Sequence, residues 1–316
     1  MQTDVINPDL NRGAEKQKKG LFSIFIILII ILFLGFIYLA IVGIGLYFFN
    51  WRAGFVKVTA QIVPYPAAWV NIFPISFSEV FREKAHAMKF YQQTGSPLPQ
   101  EDVLEKKTID ILIRHKMIQN LVSKYHLSVS NDEVKKTLDK LYEENGGKQS
   151  FEEILWQFYG YRPKEIYNLV VLSLMQEKLI AHFEDNILKK VHLAHILVQD
   201  ETQAKNLLKQ AKEKDFSLLA KNNSLDKQTK DKNGELGYFA QDELVKVILK
   251  DKSVDKKLLN NFIDKVWKAK QGEVFIFHTD RGWQVIKVLD FKGQEEREFE
   301  DWFSEQVNKA LVFHFV

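Results

Sequence analysis

The chain contains no cysteine. That absence excludes a disulfide scaffold, a thiolate metal site and a cysteine nucleophile, and it leaves no thiol for lipoprotein attachment. Net charge is nearly absent too. Lys and Arg number 44 against 41 Asp and Glu, a balance of +3 over 316 residues, so no basic field points to nucleic acid. Hydrophobic residues at 46% and charged residues at 27% exclude wholesale disorder. The length suits one or two globular units.

What the sequence has in excess is one apolar run. Residues 21–49 carry no charge and are mostly Ile, Leu and Phe. As a helix this run extends about 43 Å, more than the roughly 30 Å hydrocarbon core requires. Arg12, Lys16, Lys18 and Lys19 precede it, whereas Arg52 and Lys57 follow more sparsely. The positive-inside bias puts residues 1–20 in the cytoplasm, 21–50 across the membrane and the rest outside. A cleaved signal peptide is the alternative. It needs an apolar stretch of about 7–15 residues before a small-x-small site. Here the run ends in Tyr47-Phe48-Phe49-Asn50-Trp51, which suits the headgroup layer better than a peptidase pocket. An uncleaved, single-pass anchor in the plasma or inner membrane is expected.

Residues 78–183 read as helical. An amphipathic stretch over 79–92 stops at Gly95, Pro97 and Pro99. A long helix then carries Val103, Leu104, Ile109, Leu112, Ile113, Met117, Leu121 and Val122. Ser130 with Glu133, and Ser150 with Glu153, have the spacing of capping boxes, and Gly146-Gly147 and Gly160 close the two helices. Pro163 stands in a first turn ahead of Ile166, Leu169, Val170, Leu174 and Ile180. Five helices in series make a mostly α module.

The pattern changes at Val191. Residues 191–198 read as a strand, Asp200 and Asp215 as caps of two helices, 236–240 as a second strand, and 254–268 as an amphipathic helix. Two closing strands, 273–279 and 283–289, meet at Asp280-Arg281-Gly282. The result is a β-α-α-β-α-β-β unit of an α+β protein. The Lys-rich stretch 209–232 reads as a solvated face. After Gly293 a last helix carries Phe299, Trp302, Phe303 and Val307, and 311–316 is an apolar tail. Such a tail is expected to dock on the helical module. The expected division is therefore 55–187 with 294–316 as the helical module, and 188–293 as the α+β unit.

In order along the chain stand His195-Ile196-Leu197-Val198, Asp215-Phe216 with Leu219-Ala220, and Ser224-Leu225-Asp226. Gly234-Glu235-Leu236-Gly237-Tyr238-Phe239, Gly272-Glu273-Val274 and Gly282-Trp283-Gln284-Val285-Ile286-Lys287-Val288 follow. This series resembles the parvulin-type (PpiC, rotamase) peptidyl-prolyl isomerase domain. With the preceding helices, where Leu127-Ser128-Val129-Ser130 stands before Glu133-Val134, the whole is similar to the SurA/PrsA group of extracytoplasmic chaperone-isomerases. The anchor is similar to that of PpiD-like members.

The resemblance implies catalysis of rotation about X–Pro bonds, whose uncatalysed barrier is close to 20 kcal/mol. No bond breaks, so no nucleophile, metal or cofactor is expected. What is needed is an apolar slot for the prolyl ring, with polar groups that favour the twisted amide. Carried over by position, the polar groups are His195, Asp226, Thr279 and Gln284, and the pocket residues are Phe262 and Leu258, with Leu244 competing for the latter place. Read without the resemblance, Phe262 and Leu258 are helix-to-sheet core, His195 a satisfied core histidine, and Asp226 a turn or helix-end residue.

Two departures stand out. Gln284 occupies the position where parvulins usually have a second histidine, and residues 241–255 are longer than the usual link. An amide hydrogen-bonds but does not titrate. The resemblance implies an isomerase, its activity reduced by Gln284, acting on unfolded or nascent exported polypeptides that contain proline. The alternative is a non-catalytic holdase with a degenerate site, and a third reading is a self-assembling structural protein. Phosphoproline specificity is not expected, because Gln199-Asp200-Glu201 follows the first strand where phosphate-reading members carry arginines.

Overall fold

The computed structural model describes residues 8–49, 51–52, 54–248, 256–279 and 281–315. The chain divides into two compact units, Met1–Leu174 with Lys309–Val316, and Met175–Asn308. The protein is α+β.

In the first unit α1 (Pro8–Phe48) contains the apolar stretch Ile24–Phe48, of mean hydropathy 3.3. Its side chains are exposed from Ile24 to Ile41, whereas Val42 and Leu46 are buried. A short helix, α2 (Gly54–Ile62), leads to the hairpin β1 (Pro66–Val70) and β2 (Phe73–Ser76). The hairpin turns at Asn71, which has φ 53°.

The helices follow from local chemistry. Ser76 and Glu79 form a reciprocal capping box that opens α3 (Phe77–Thr94), and left-handed Gly95 ends it. In α4 (Glu101–Lys124), Leu104, Thr108, Ile109, Leu112, Ile113, Met117, Ile118, Leu121 and Val122 are buried, one stripe at helical period. Ser130 and Glu133 cap α5 (Asn131–Glu144), the Glu133 N–H donating to Ser130 Oγ over 3.2 Å. Ser150 does not cap its helix. α6 (Lys148–Tyr159) starts two residues earlier, behind Gly147 at φ 99°, because the glycine pair lets the chain turn directly into the helix. Pro163 opens α7 (Pro163–His182), which continues as a π turn over Phe183–Ile187.

A three-stranded sheet that the helical pattern did not announce completes the first unit. The apolar tail supplies β7 (Val312–His314), antiparallel to β1, giving the order β2-β1-β7.

The second unit is built on β3 (Lys190–Val198), β4 (Glu235–Phe239), β5 (Val274–Thr279) and β6 (Gly282–Lys292), all antiparallel in the order β4-β3-β6-β5. Asp200 and Asp215 each accept a backbone N–H over 2.7 Å and cap α8 (Glu201–Gln210) and α9 (Phe216–Asn223). The link after β4 contains α10 (Gln241–Ile248), so the order is β-α-α-β-α-α-β-β, one helix more than the sequence pattern indicates. α11 (Lys256–Lys268) follows. α12 (Phe299–Lys309) sets Phe299 and Trp302 against Phe183, ring centroids 5.6 and 5.0 Å apart.

Each face of the four-stranded sheet has its own core. Ala194, Ile196, Val198 and Val285 pack with α8 and α9 through Ala204, Leu207, Phe216 and Leu219. Val191, Leu193, Ile286, Val288 and Phe275 pack with Leu244, Phe262 and Val266. The alternation of β3 puts His195 on this second face. The carbonyl of Gly234 fixes the strand there by accepting the His195 N–H over 2.8 Å.

Gly234 has φ 74°, and a Cβ on it would lie 2.5 Å from the His195 carbonyl oxygen and 2.9 Å from Ala220 Cβ. Gly234→Ala is therefore expected to cost about 1–3 kcal/mol. Amide exchange of the full chain should show lost protection along β3. Unchanged protection of the His195 amide would contradict this placement.

Candidate functional site

The second face of the sheet changes character along its strands. Its middle is apolar, but toward the end of β3 the inward positions become His195, Gln284 and Thr279. The strand register brings them together: His195 lies opposite Ile286, and Gln284 lies between Leu197 and Phe277. Thr279 ends β5 opposite Gly282. Asp226 arrives from the loop after α9, where its N–H donates to Ser224 Oγ over 3.2 Å. The Leu197 N–H donates to the same oxygen over 3.2 Å, so one hydroxyl ties that loop to β3.

These groups form one buried network around a single imidazole. The Gln284 amide nitrogen donates to Thr279 Oγ1 over 3.4 Å. The Thr279 hydroxyl in turn donates to the Gly282 carbonyl over 3.0 Å. Gln284 is thereby oriented with its oxygen toward His195, and Nδ1–H donates to it over 2.6 Å. The other ring nitrogen, Nε2, lies 2.9 Å from both Asp226 Oδ2 and Thr229 Oγ1. The four residues of the network proposed by position are each no more than 6% exposed.

Burial pushes the Asp226 carboxyl up, but the Gln228 N–H, the charges of His195 and Arg281, and the hydrogen bond to His195 outweigh it. The net effect holds it below the ordinary 3.8. The Arg281 guanidinium stands 3.8 Å from the carboxylate.

The structure therefore brings together His195, Asp226, Thr279 and Gln284. Phe262 and Leu244 lie in the adjoining core, 1% and 0% exposed. The side chain of Leu258 lies outside the described residues, as do residues 249–255 of the long link and Asp280 of the turn. Phe262 is not an open wall. Its ring centroid lies 4.6 Å from that of Phe277, a partly exposed residue opposite Gln284 in the register. Three participants were not read from the sequence: Thr229, Arg281 and Phe277. Thr229 follows Asp226 by one helical turn, closed by the Lys230 N–H bond to the Asp226 carbonyl at 2.9 Å. Threonine three residues after an acid in a turn was the available signal. Phe277 shares the parity of Thr279 on β5.

The arrangement sets the half-buried Phe277 ring opposite Gln284 in a buried set of oriented hydrogen-bonding groups.

Residues 178–292 match the PPIC-type PPIASE domain family, and residues 14–179 match the SurA-like N-terminal domain family. The second match spans more than half of the chain, which belongs to the SurA-like family and carries a PpiC-type isomerase domain after the SurA-like part. Its relatives include the foldase protein PrsA of Exiguobacterium sibiricum, 27% identical over 67% of this chain and 70% of that protein. Foldase protein PrsA 2 of Bacillus cereus is 30% identical over 39% of this chain and 45% of that protein. Among solved structures, the peptidylprolyl isomerase PrsA of Bacillus anthracis is 23% identical, covering 63% of this chain and 84% of that one, with a TM-score of 0.28. The chain is thus similar to PrsA foldases, with a SurA-like part followed by a PpiC-type domain.

The lowered Asp226 carboxyl has a consequence for stability. Its contribution is full above the unfolded value of about 4 and is lost as pH falls through the lower folded value. Asp226→Asn should therefore lower the unfolding midpoint of the second unit at pH 7, and the difference from the parent should shrink toward pH 3. A difference that persists undiminished at pH 3 would contradict the ionic role.

Proposed function

We propose that this protein is a single-pass, N-in membrane foldase whose extracytoplasmic part isomerises X–Pro bonds in unfolded exported polypeptides and shields those chains while they fold. The anchor reading rests on α1, whose apolar stretch of 25 residues is exposed along most of its length. At 1.5 Å per residue that stretch is about 37 Å long, sufficient to cross a bilayer. In this reading residues 1–20 lie in the cytoplasm and 21–50 cross the membrane. Residues 55–187 with 294–316 form the helical module, and 188–293 form the isomerase domain. The pairing of β7 with β1 supports the discontinuous module.

The observation that carries the enzymatic reading is the buried imidazole held at both nitrogens, one of them by Gln284, whose partner on β5 is Phe277. A prolyl ring against the phenyl face would bring its amide to the polar end of the sheet. There the Thr279 and Gln284 groups, already oriented, need little reorganisation as the amide twists. Substrate recognition is expected to be of unmodified proline, since Asp200, which follows β3, is committed to capping α8.

A second reading, a holdase that binds peptide without isomerising it, is favoured by two observations. Gln284 stands where a second imidazole is usual in the family resembled, and Phe262 is sealed within the core.

The full chain in lipid nanodiscs, assayed on a proline peptide by exchange NMR, separates the readings. Catalysed cis–trans exchange is expected, and Gln284→His should raise it about tenfold, or ~1.4 kcal/mol of barrier. Exchange no faster than that of free peptide, with an unfolded client still protected from aggregation, would establish the holdase reading instead.

A further inference from the structure

The apolar run is longer than one bilayer crossing needs, and the structure uses the surplus. After α1 the chain turns back at once: the Trp51 N–H donates to the Gly45 carbonyl over 2.9 Å, and the Arg52 guanidinium to the Leu46 carbonyl over 2.9 Å. α2 then meets α1 far below its end. The Phe55 ring lies 6.1 Å from that of Tyr38, and the Thr59 hydroxyl lies 2.5 Å from the Tyr38 hydroxyl. Past the end of α2, the Tyr65 hydroxyl donates to the Leu39 carbonyl over 2.7 Å. All three contacts fall on Tyr38 and Leu39, so α2 crosses α1 at one level instead of running along it.

That level coincides with a membrane boundary. Counting from Lys19, the last basic residue before the run, Leu39 is 20 residues on, which is about 30 Å of helix and one hydrocarbon thickness. Tyr38 and Tyr65 then stand where aromatic belts stand.

α2 also has the required faces. Val56, Thr59 and Ala60 are buried within the unit. Phe55, Val58 and Ile62 form a second apolar stripe, 53%, 58% and 79% exposed. Lys57 and Gln61 are exposed and fall on another side of the same helix. The exposed stripe is continuous with the exposed apolar surface of α1 at Tyr38 and Ile41, 43% and 46% exposed.

Resting on the anchor reading above, the geometry points to α2 as an interfacial helix. It lies in the headgroup–acyl boundary of the outer leaflet with Phe55, Val58 and Ile62 in lipid, so that the first unit is seated on the bilayer and not tethered above it. Its occupant is the lipid surface that already surrounds α1. The crossing is then the part of the 21–50 segment up to Leu39; beyond it one face of α1, with Val42 and Leu46, is buried in the first unit while Ile41, Ile44 and Phe48 stay exposed.

The absence of native cysteine makes the test direct. Full-length variants with one nitroxide-labelled cysteine are reconstituted in phosphatidylcholine–phosphatidylglycerol vesicles. Collision with oxygen is then compared with collision with a water-soluble nickel chelate. Phe55→Cys, Val58→Cys and Ile62→Cys should give an oxygen-to-chelate ratio several-fold above that of Lys57→Cys and Gln61→Cys. Ile31→Cys reports on the anchor itself. A lipid-facing label at 31 with an aqueous label at 58 would overturn the interfacial helix alone. An aqueous label at 31 would overturn both readings. A label at 58 shielded from both reagents would mean a protein partner, and would overturn the lipid assignment.

Discussion

The candidate site depends on one constraint: a buried imidazole must have both nitrogens satisfied. An unpaired polar group in such a place costs on the order of 1–3 kcal/mol, so the surroundings of His195 are not free to vary independently. Nδ1 calls for an acceptor, and the Gln284 oxygen supplies it only because Thr279 holds the other end of the amide. Nε2 calls for partners from outside the sheet, and the loop after α9 brings Asp226 and Thr229 to it. Ser224 secures that loop to β3, and Gly234 secures β3 to the start of β4. Removing any one of these leaves another group unsatisfied.

The same constraint explains how an amide can stand where an imidazole is usual in the family resembled. Gln284 can offer donor and acceptor at once, but its polarity is fixed by Thr279 and cannot invert with a proton. The site keeps its geometry and gives up one titrating partner. In the proposed reading, function rests on oriented dipoles beside an aromatic ring, and Phe277 is less buried than Phe262.

What could be read from the chain was what is encoded locally. The resemblance named His195 and Gln284 by position, and the Ser130–Glu133 box and the Asp200 and Asp215 caps marked helix starts that the structure has. Ser150 misled because the spacing of a capping box is necessary but not sufficient; the preceding glycines started the helix first. The sheet of β1, β2 and β7 was illegible for a different reason. Its strands are three to five residues long, two of them contain proline, and one partner is more than 200 residues away in sequence. Thr229, Arg281 and Phe277 were missed because their roles come from the approach of separate loops and strands. Phe262 was named a pocket residue by position, and position carries no information on how deeply the packed fold buries it.

The central claim is that a prolyl ring binds at the seam between Phe277 and the polar end of the sheet. The most direct test is the set of intermolecular nuclear Overhauser contacts from a carbon-13-labelled prolyl ring, in an unmodified peptide bound to the full chain. The account predicts contacts to the Phe277 ring and the Thr279 methyl group. Contacts confined to the helices between residues 77 and 182, with none to Phe277 or Thr279, would contradict it.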